Sequence, residues 1–349
     1  MLKLNRNFLK FFIRYYMFYP GREHSLLNYG VKLSDIGESQ AIERLRVALR
    51  QLALPSDWVG IGDDAAVCQT EPGLAVLTTV DMLVEEVHFK RSTIAPGDLG
   101  WKALAVNVSD IFGMGGVPRW CVVALALPGE LKVSWLEEFY RGLAQAALAY
   151  DTRIVGGDTV GTPGPIVVSL SVIGQAQKPR LRSEACPGDL LVATGPHGLA
   201  RAGHWALEHP LAAVSHAMAE LAMRSQARPA PPGYPATLAA LPRLALLDDS
   251  DGLGRSMTLL AEASGVAVVL QTNRLKIHPA VAAIAHAAGS DPLDWVLWGG
   301  EDYGLVGATP DLPSATGFRV IGKVEMGAGA WLEDSTGRHP LTNHAFRHF

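Results

Sequence analysis

Between Gly60 and Phe89 the sequence sets two carboxylates side by side in a glycine-bracketed turn, Gly60-Ile61-Gly62-Asp63-Asp64. An apolar run at residues 74–77 follows and leads into Thr78-Thr79-Val80-Asp81. The stretch closes on Glu85-Glu86-Val87-His88-Phe89. The run predicts a strand over residues 75–79, so Asp81 falls just past its end and His88 lies seven residues beyond Asp81. Acidic groups on loops at strand ends are placed to hold hard divalent cations through oxygen. Taken alone, an Asp-Asp pair reads as a solvated turn before an edge strand. The loop aspartates of the later chain move the reading towards metal.

The chain has 349 residues, which predicts two domains. Its hydrophobic fraction, 48%, is enough for sizeable cores. A formal charge of -4 argues against a general nucleic-acid binder, which would carry a basic face. Cys68, Cys121 and Cys186 lack metal-binding spacing and cannot all pair. That pattern suits a reducing cytoplasm. No apolar run reaches the roughly 18 residues that a membrane-spanning helix needs. Residues 1–32 form a distinct segment. Lys3, Arg6, Lys10, Arg14 and Arg22 face one acid, Glu23, among many Phe and Tyr residues. A membrane-surface or targeting role is one reading. The other, favoured by Arg14 interrupting the apolar stretch, is a poorly packed extension outside the fold.

The folded part is expected from Leu33. Ile42, Leu45, Leu49 and Leu52 recur at helical spacing before Pro55. Pro96-Gly97-Asp98 starts a second helix, which carries Asn107-Val108-Ser109-Asp110 towards Gly113. Polar groups in an apolar helix are costly without partners. A metal reached by Asp110 would be one partner, and an N-cap role is the alternative. Residues 120–127 read as a buried strand, and Ser134-Trp135-Leu136-Glu137 as a capping-box helix start. A strand at 152–155 leads into Gly156-Gly157-Asp158-Thr159, and another spans 166–173. A linker at 178–180 follows. The second half reads as a strand at 190–194, helical segments through 199–228, and a further helix leading to Asp248-Asp249-Ser250-Asp251-Gly252. Next come a helix to Ser264, a strand at 266–270, a helix near 279–288, the Gly299-Gly300-Glu301-Asp302-Tyr303 segment, and strands near 305, 318–321 and 330–332. Alternating strands and helices predict α/β or α+β layers in two domains, 33–177 and 178–349.

Asp63, Asp64, Asp81, Asp110, Asp158, Asp248, Asp249, Asp251, Glu301 and Asp302 follow apolar runs or glycines and are expected on loops. Gathered in one pocket they would repel strongly unless cations were bound. Mg²⁺ typically binds one or two carboxylates plus substrate phosphates, so the pattern points to a polyphosphate enzyme. Neither G-x-x-x-x-G-K-[ST] nor G-x-G-x-x-G is present. Phosphates would therefore rest on metals and on backbone N–H groups at glycine-rich turns. His88 is a surface, core or substrate-contacting residue. Serine-hydrolase and cysteine-protease readings lack their motifs.

These motifs, in order, resemble the thiamine-monophosphate kinase family of the aminoimidazole-ribonucleotide-synthetase-like superfamily. The resemblance rests on Gly60-Ile-Gly-Asp-Asp64, Asp81-x6-His88-Phe89, Lys102 to Asp110, Gly156-Gly-Asp-Thr159, Arg182 with Pro187-Gly-Asp189, Ser250-Asp-Gly-Leu253 and Gly299-Gly-Glu-Asp-Tyr303. It covers residues 33–349. It implies ATP- and Mg²⁺-dependent phosphorylation of thiamine monophosphate to thiamine diphosphate, without a phospho-histidine intermediate. It also implies a cytoplasmic homodimer joined through the N-terminal mixed sheet, with the site between the N- and C-terminal domains. By the same resemblance, Asp64, Thr79, Val80 (through its carbonyl), Asp81, Asp110, Asp158, Asp248 and Asp251 would ligate Mg²⁺. Tyr140, Gly157, Asp158, Arg182 and Ser250 would contact ATP, and His88, Glu301 and Phe346 the thiamine phosphate. Phe346 stands where Tyr or Trp is more usual, Asp249 replaces an apolar residue, and Gly304 replaces a common Glu. A sister synthetase is the nearest alternative. The selenophosphate member needs a reactive Cys in a glycine-rich N-terminal loop, and the hydrogenase-maturation member a C-terminal Cys; neither is present, since the chain ends His348-Phe349. A non-catalytic nucleotide-binding regulator would not need so many metal ligands.

A chain beginning at Val31 is expected to fold and to retain full kinase activity, because the preceding composition matches nothing in the body. Comparing its melting temperature and turnover with those of the whole protein checks this; loss of either would refute the dispensability of the segment.

Overall fold

The protein's structure, a computed structural model, describes Lys32, Asp35, Ile36, Arg44, residues 47–50, Leu52, and residues 75–209 and 214–342. The extension, the Asp63-Asp64 turn and Phe346 lie outside the described residues. The described residues contain two sheets and eight helices, the expected mixed α/β class. They divide into two compact units that are discontinuous in sequence. Residues 80–103 and 119–172 belong to the first; 75–79, 104–118 and those from 173 onward belong to the second. A division at 177 is linear, whereas this one sends two earlier segments into the second unit.

A four-stranded sheet runs in the order β1-β4-β2-β3, where β1 is Ala75–Val84, β2 Val117–Pro128, β3 Arg153–Thr162 and β4 Val167–Ala176. All four strands are longer than the sequence predicts, because ladder pairing carries the pleat past the apolar runs: through Asp81 and the exposed Val80 and Met82 in β1, and through the glycines and Asp158 in β3. Consequently Asp81 and Asp158 lie within strands rather than on loops. On β2, Ala124 faces Asp158 of the parallel neighbour β3. Helix α1 (Pro96–Gly113) starts on its proline with Asp98 in the first turn, which suits both the free N–H groups and the helix dipole. Asp110 lies in its last turn, which rules out the N-cap reading. Helix α2 (Val133–Ala149) begins one residue before Ser134, and Lys132 gives no side-chain cap. Glu137 is drawn off the expected capping box by Arg44, whose Nη1 donates to Oε1 at 2.8 Å.

Within the first unit α1 and α2 meet backbone to backbone. A Cβ on Gly142 would lie 1.7 Å from the Gly97 carbonyl oxygen, and one on Gly100 1.9 Å from that of Phe139. Only glycine permits this approach. It seats Leu99, Ala103, Leu136, Phe139 and Leu143 at 1% exposure or less.

The second unit holds a seven-stranded sheet, order β11-β10-β7-β9-β5-β8-β6. Its strands are β5 Leu190–Ala193, β6 Ala245–Asp249, β7 Ala267–Gln271, β8 Gly304–Thr309, β9 Arg319–Glu325, β10 Gly329–Asp334 and β11 Gly337–Pro340. Only β10 and β7 pair in parallel among the registers given for this sheet; the other neighbours are antiparallel. Around it lie α3 (Leu199–Glu208), α4 (His216–Ala227), the short α5 (Ala236–Ala239), α6 (Leu253–Ser264), α7 (Pro279–Ala287) and α8 (Pro292–Trp298). The segment leading to Asp248, expected as a helix, is one turn of helix and then strand β6. Its apolar run is too short for a helix and is buried by pairing with β8. Helix α8, absent from the sequence reading, is capped by Asp291, whose carboxylate accepts from Leu293 N at 2.9 Å. Leu191, Leu247, Met257, Leu260, Val268 and Val306 form the main core of this unit.

Gly142→Ala tests the α1–α2 approach. The added methyl has no room, so stability should fall by about 2 kcal/mol. Thermal denaturation would then show a melting temperature lower by roughly 5 °C; an unchanged value would mean that the helices separate at no cost.

Candidate functional site

In the second unit, the C-terminal half of α1, the start of β1 and the end of β6 bring oxygen ligands together. Thr79 on β1 donates its hydroxyl to Asp110 Oδ2 at 2.5 Å. The neighbouring Ser109, fully buried, donates to Asp248 Oδ2 at 3.0 Å. This gives the polar residues of an apolar helix the partners they need. Gly113 allows the contact, since a Cβ there would sit 2.7 Å from the Asp248 amide nitrogen. Burial raises the Asp110 pKa, opposed by the Thr79 hydrogen bond and the charge of Arg182. Carboxylates and a hydroxyl are hard oxygen donors, the ligand chemistry that suits Mg²⁺.

Beyond β6, Ser250, Asp251 and Gly252 form a turn, with Gly252 at φ 96°. Ser250 O accepts from Glu301 N at 2.6 Å, and Asp249 O accepts from Tyr303 N at 3.0 Å. The Gly299–Tyr303 segment is wound tightly: Gly300, Glu301 and Tyr303 have φ of 67°, 60° and 51°. Left-handed backbone at non-glycine residues is costly and concentrates at functional sites. Arg182 opens a single 3-10 turn and stands exposed.

Period-two alternation separates Asp248 from Asp249. Asp248 faces Ser109, while Asp249 turns into the interior at 0% exposure. Asp249 Oδ2 lies 2.7 Å from His197 Nδ1, and its Oδ1 accepts from Ser256 Oγ at 2.8 Å. Asp302 accepts from the backbone N–H groups of Gly198 and Ala200 at the start of α3. Burial raises its pKa to about 7, against the charge of His197 and these two hydrogen bonds. Burial alone would lower the His197 pKa, but the hydrogen bond and charge of Asp249, with the charge of Asp302, carry it above the usual value. The sequence reading counted Asp249 and Asp302 as loop acids and missed His197. The signal available was a charged residue at an inward position of a short apolar run.

The first unit holds the other expected residues. Asp81 shares the inward side of β1 with Leu83, while Val80 is 62% exposed on the opposite side. Asp158 is exposed on β3, and Gly157 beside it lets the strand approach Val123, whose carbonyl oxygen would be 1.9 Å from a Cβ. His88 Nδ1 accepts from Val84 N at 3.0 Å, so a neutral ring carries its proton on Nε2. Glu85 is a structural anchor: it is buried, pairs with Arg91, and accepts from Ile166 N at 3.0 Å. Tyr140 sits in the core at 5% exposure, edge-on to Phe139, and burial raises its pKa. Asp64 and Phe346 lie outside the described residues. Of the ten acids expected on loops, those within described elements lie in strands (Asp81, Asp158, Asp248, Asp249) or in a helix (Asp110).

Asp302 generates a pH dependence. Unfolded, it loses its proton near 3.9, the usual value for Asp, to within about a unit; folded, it keeps the proton up to about 7. Between these values the folded state binds more protons, so stability is highest at the acid end and falls as pH rises through 7. His197, also raised, acts in the same direction, its contribution being lost as pH rises through its folded value. Urea midpoints of the Asp302→Asn variant should therefore fall less between pH 5 and pH 8 than those of the wild type.

The AIR synthase related protein, N-terminal domain family matches residues 62–176. A thiamine-monophosphate kinase of Bacillus subtilis is 38% identical over 71% of this chain and 77% of its own length. One from Mycobacterium tuberculosis is 36% identical over 90% of this chain and 92% of its own. A solved structure of AaThiL complexed with AMPPCP and TMP superposes with a TM-score of 0.72 at 28% identity, covering 92% of this chain and all of that one. With relatives this similar along most of its length, the chain belongs to the thiamine-monophosphate kinase family.

Proposed function

We infer that this protein phosphorylates thiamine monophosphate with ATP, yielding thiamine diphosphate and ADP. The observation that carries the reading is the half-buried Asp110, held by a hydroxyl donor and close enough to Arg182 to feel its charge, in a chain of this family. Asp81, Asp110, Asp158, Asp248 and Asp251, with Thr79 and the carbonyl of Val80, are the proposed Mg²⁺ ligands; Asp64 joins them by resemblance alone. Mg²⁺ bound by such oxygens would neutralise charge building on the transferred phosphoryl group. Arg182, Gly157 and Ser250 are the proposed nucleotide contacts. Tyr140, the other expected nucleotide contact, is buried beside Phe139 and would act only by supporting the core of its own unit. His88, whose Nδ1 accepts from Val84 N, is a proposed contact to the thiamine phosphate. Glu301, held in left-handed backbone, and Phe346 are the proposed contacts to the thiamine moiety. The nucleophile is a phosphate oxygen, already ionised at neutral pH, so in-line attack on the γ-phosphorus needs no general base from the chain. Its residues act by positioning.

The proposed assembly is a homodimer. Val80, Met82, Val122 and Val160 are exposed hydrophobics on strands of the four-stranded sheet, and apolar surface of this kind favours a protein partner. No helix among the described residues is long and apolar enough to cross a membrane. Dependence on ATP and an exposed free Cys186 support a cytoplasmic setting.

Purified protein with ATP, Mg²⁺ and thiamine monophosphate should form thiamine diphosphate and ADP in equal amounts. ADP without thiamine diphosphate would overturn the reading. Asp110→Asn keeps size and removes charge. It should melt like the wild type, turn over at least about 100-fold more slowly, and recover in part as Mg²⁺ is raised. Wild-type turnover in that variant would remove Asp110 from the ligand set.

A further inference from the structure

Two loops that carry proposed contacts are tied together from beneath. Asp249 stands between Asp248 and the Ser250-Asp251 turn, and its buried carboxylate meets His197 and Ser256. Asp302 stands between Glu301 and Tyr303 and caps the start of α3, one residue after His197. The ligand atoms of His197, Asp249 and Asp302 all lie within 4.8 Å of one another. Each carboxylate is already satisfied by hydrogen bonds, so the cluster is complete without an ion. Strand pairing sets Asp249 opposite Gly304. A Cβ at Gly304 would lie a tight 3.0 Å from Thr194 Oγ1 and in ordinary contact, 3.5 Å, with His197 Cε1.

We propose that His197 is a positioning residue for the kinase reaction: its bond to Asp249 clamps the Asp248–Asp251 turn against the Gly299–Tyr303 loop. The inference rests on the assigned reaction for its catalytic consequence, but not for the clamp itself. One buried imidazole bonds to the buried Asp249 and faces the half-buried Asp302, and removing one member of such a group leaves uncompensated charge, whereas replacing a pair with apolar residues is often tolerated. The working nitrogen is Nδ1; Nε2 is buried with no hydrogen-bond partner among the described residues. An asparagine amide reaches the position of Nδ1 and can make the same bond.

The test compares His197→Leu, His197→Asn and the double variant His197→Leu with Asp249→Val. Hydrogen exchange at the Glu301 and Tyr303 amides, which bond to Ser250 O and Asp249 O, reads the clamp directly. The expected result is exchange at least tenfold faster in His197→Leu and near wild type in His197→Asn. The Mg²⁺ concentration for half-maximal turnover should rise several-fold in the first and not in the second. The double variant guards against simple misfolding: its melting temperature should recover while exchange stays fast. Wild-type exchange and Mg²⁺ dependence in the double variant would overturn the proposal, since packing alone would then suffice. Exchange at these amides is independent of turnover. It therefore decides for or against the clamp even in a protein that makes no thiamine diphosphate, the result that would sink the assigned reaction instead.

Discussion

Carboxylates placed out of water must be stabilised where they stand, and the second unit is arranged around that constraint. Five of its buried or half-buried acids are held by identified donors. Thr79 serves Asp110 and Ser109 serves Asp248, while His197 and Ser256 serve Asp249. Asp302 draws on two backbone N–H groups, and Arg243 pairs with the buried Asp189. The division of labour is chemical. Hydroxyls support Asp110 and Asp248, the acids proposed to bind metal, whereas a histidine, an arginine and backbone N–H groups join in holding the acids that fix loops in place.

Helix α1 makes this possible. Its first half is locked to α2 through Gly97, Gly100 and Gly142, and its last turn rests on β6 through Gly113. Small residues at these points fix the height of Ser109 and Asp110 more tightly than side-chain packing could, because backbone contacts cannot adjust by changing rotamer. The polar residues of this helix thus belong to a rigid element, which suits a reaction whose catalysis is mostly positioning.

Much of this was legible in the sequence. The helical spacing of Leu99, Ala103, Val106 and Ile111, and the order of the glycine-acid motifs, predicted the layers and named the residues proposed for the site. What escaped has physical causes. An aspartate interrupts the apolar positions of β1, and glycines break the run in β3, so Asp81 and Asp158 read as loop residues although the strands continue through them. Ser134 and Glu137 have capping-box spacing, but Arg44, far away in sequence, decides where Glu137 points. Asp249 and Asp302 have the same composition signature as the exposed acids beside them. Only the alternation of a five-residue strand, and a histidine 52 positions away, sends Asp249 inward.

The empty position opposite Asp249 also constrains how such a chain can change. A side chain at position 304 would first press on the Thr194 hydroxyl, which accepts from Leu305 N at 2.8 Å. The acid and the missing side chain on this rung of the sheet therefore answer to different neighbours. Position 249 is free to change only together with His197 and Ser256, whereas position 304 is held to glycine by the joint between β8 and the residue that follows β5.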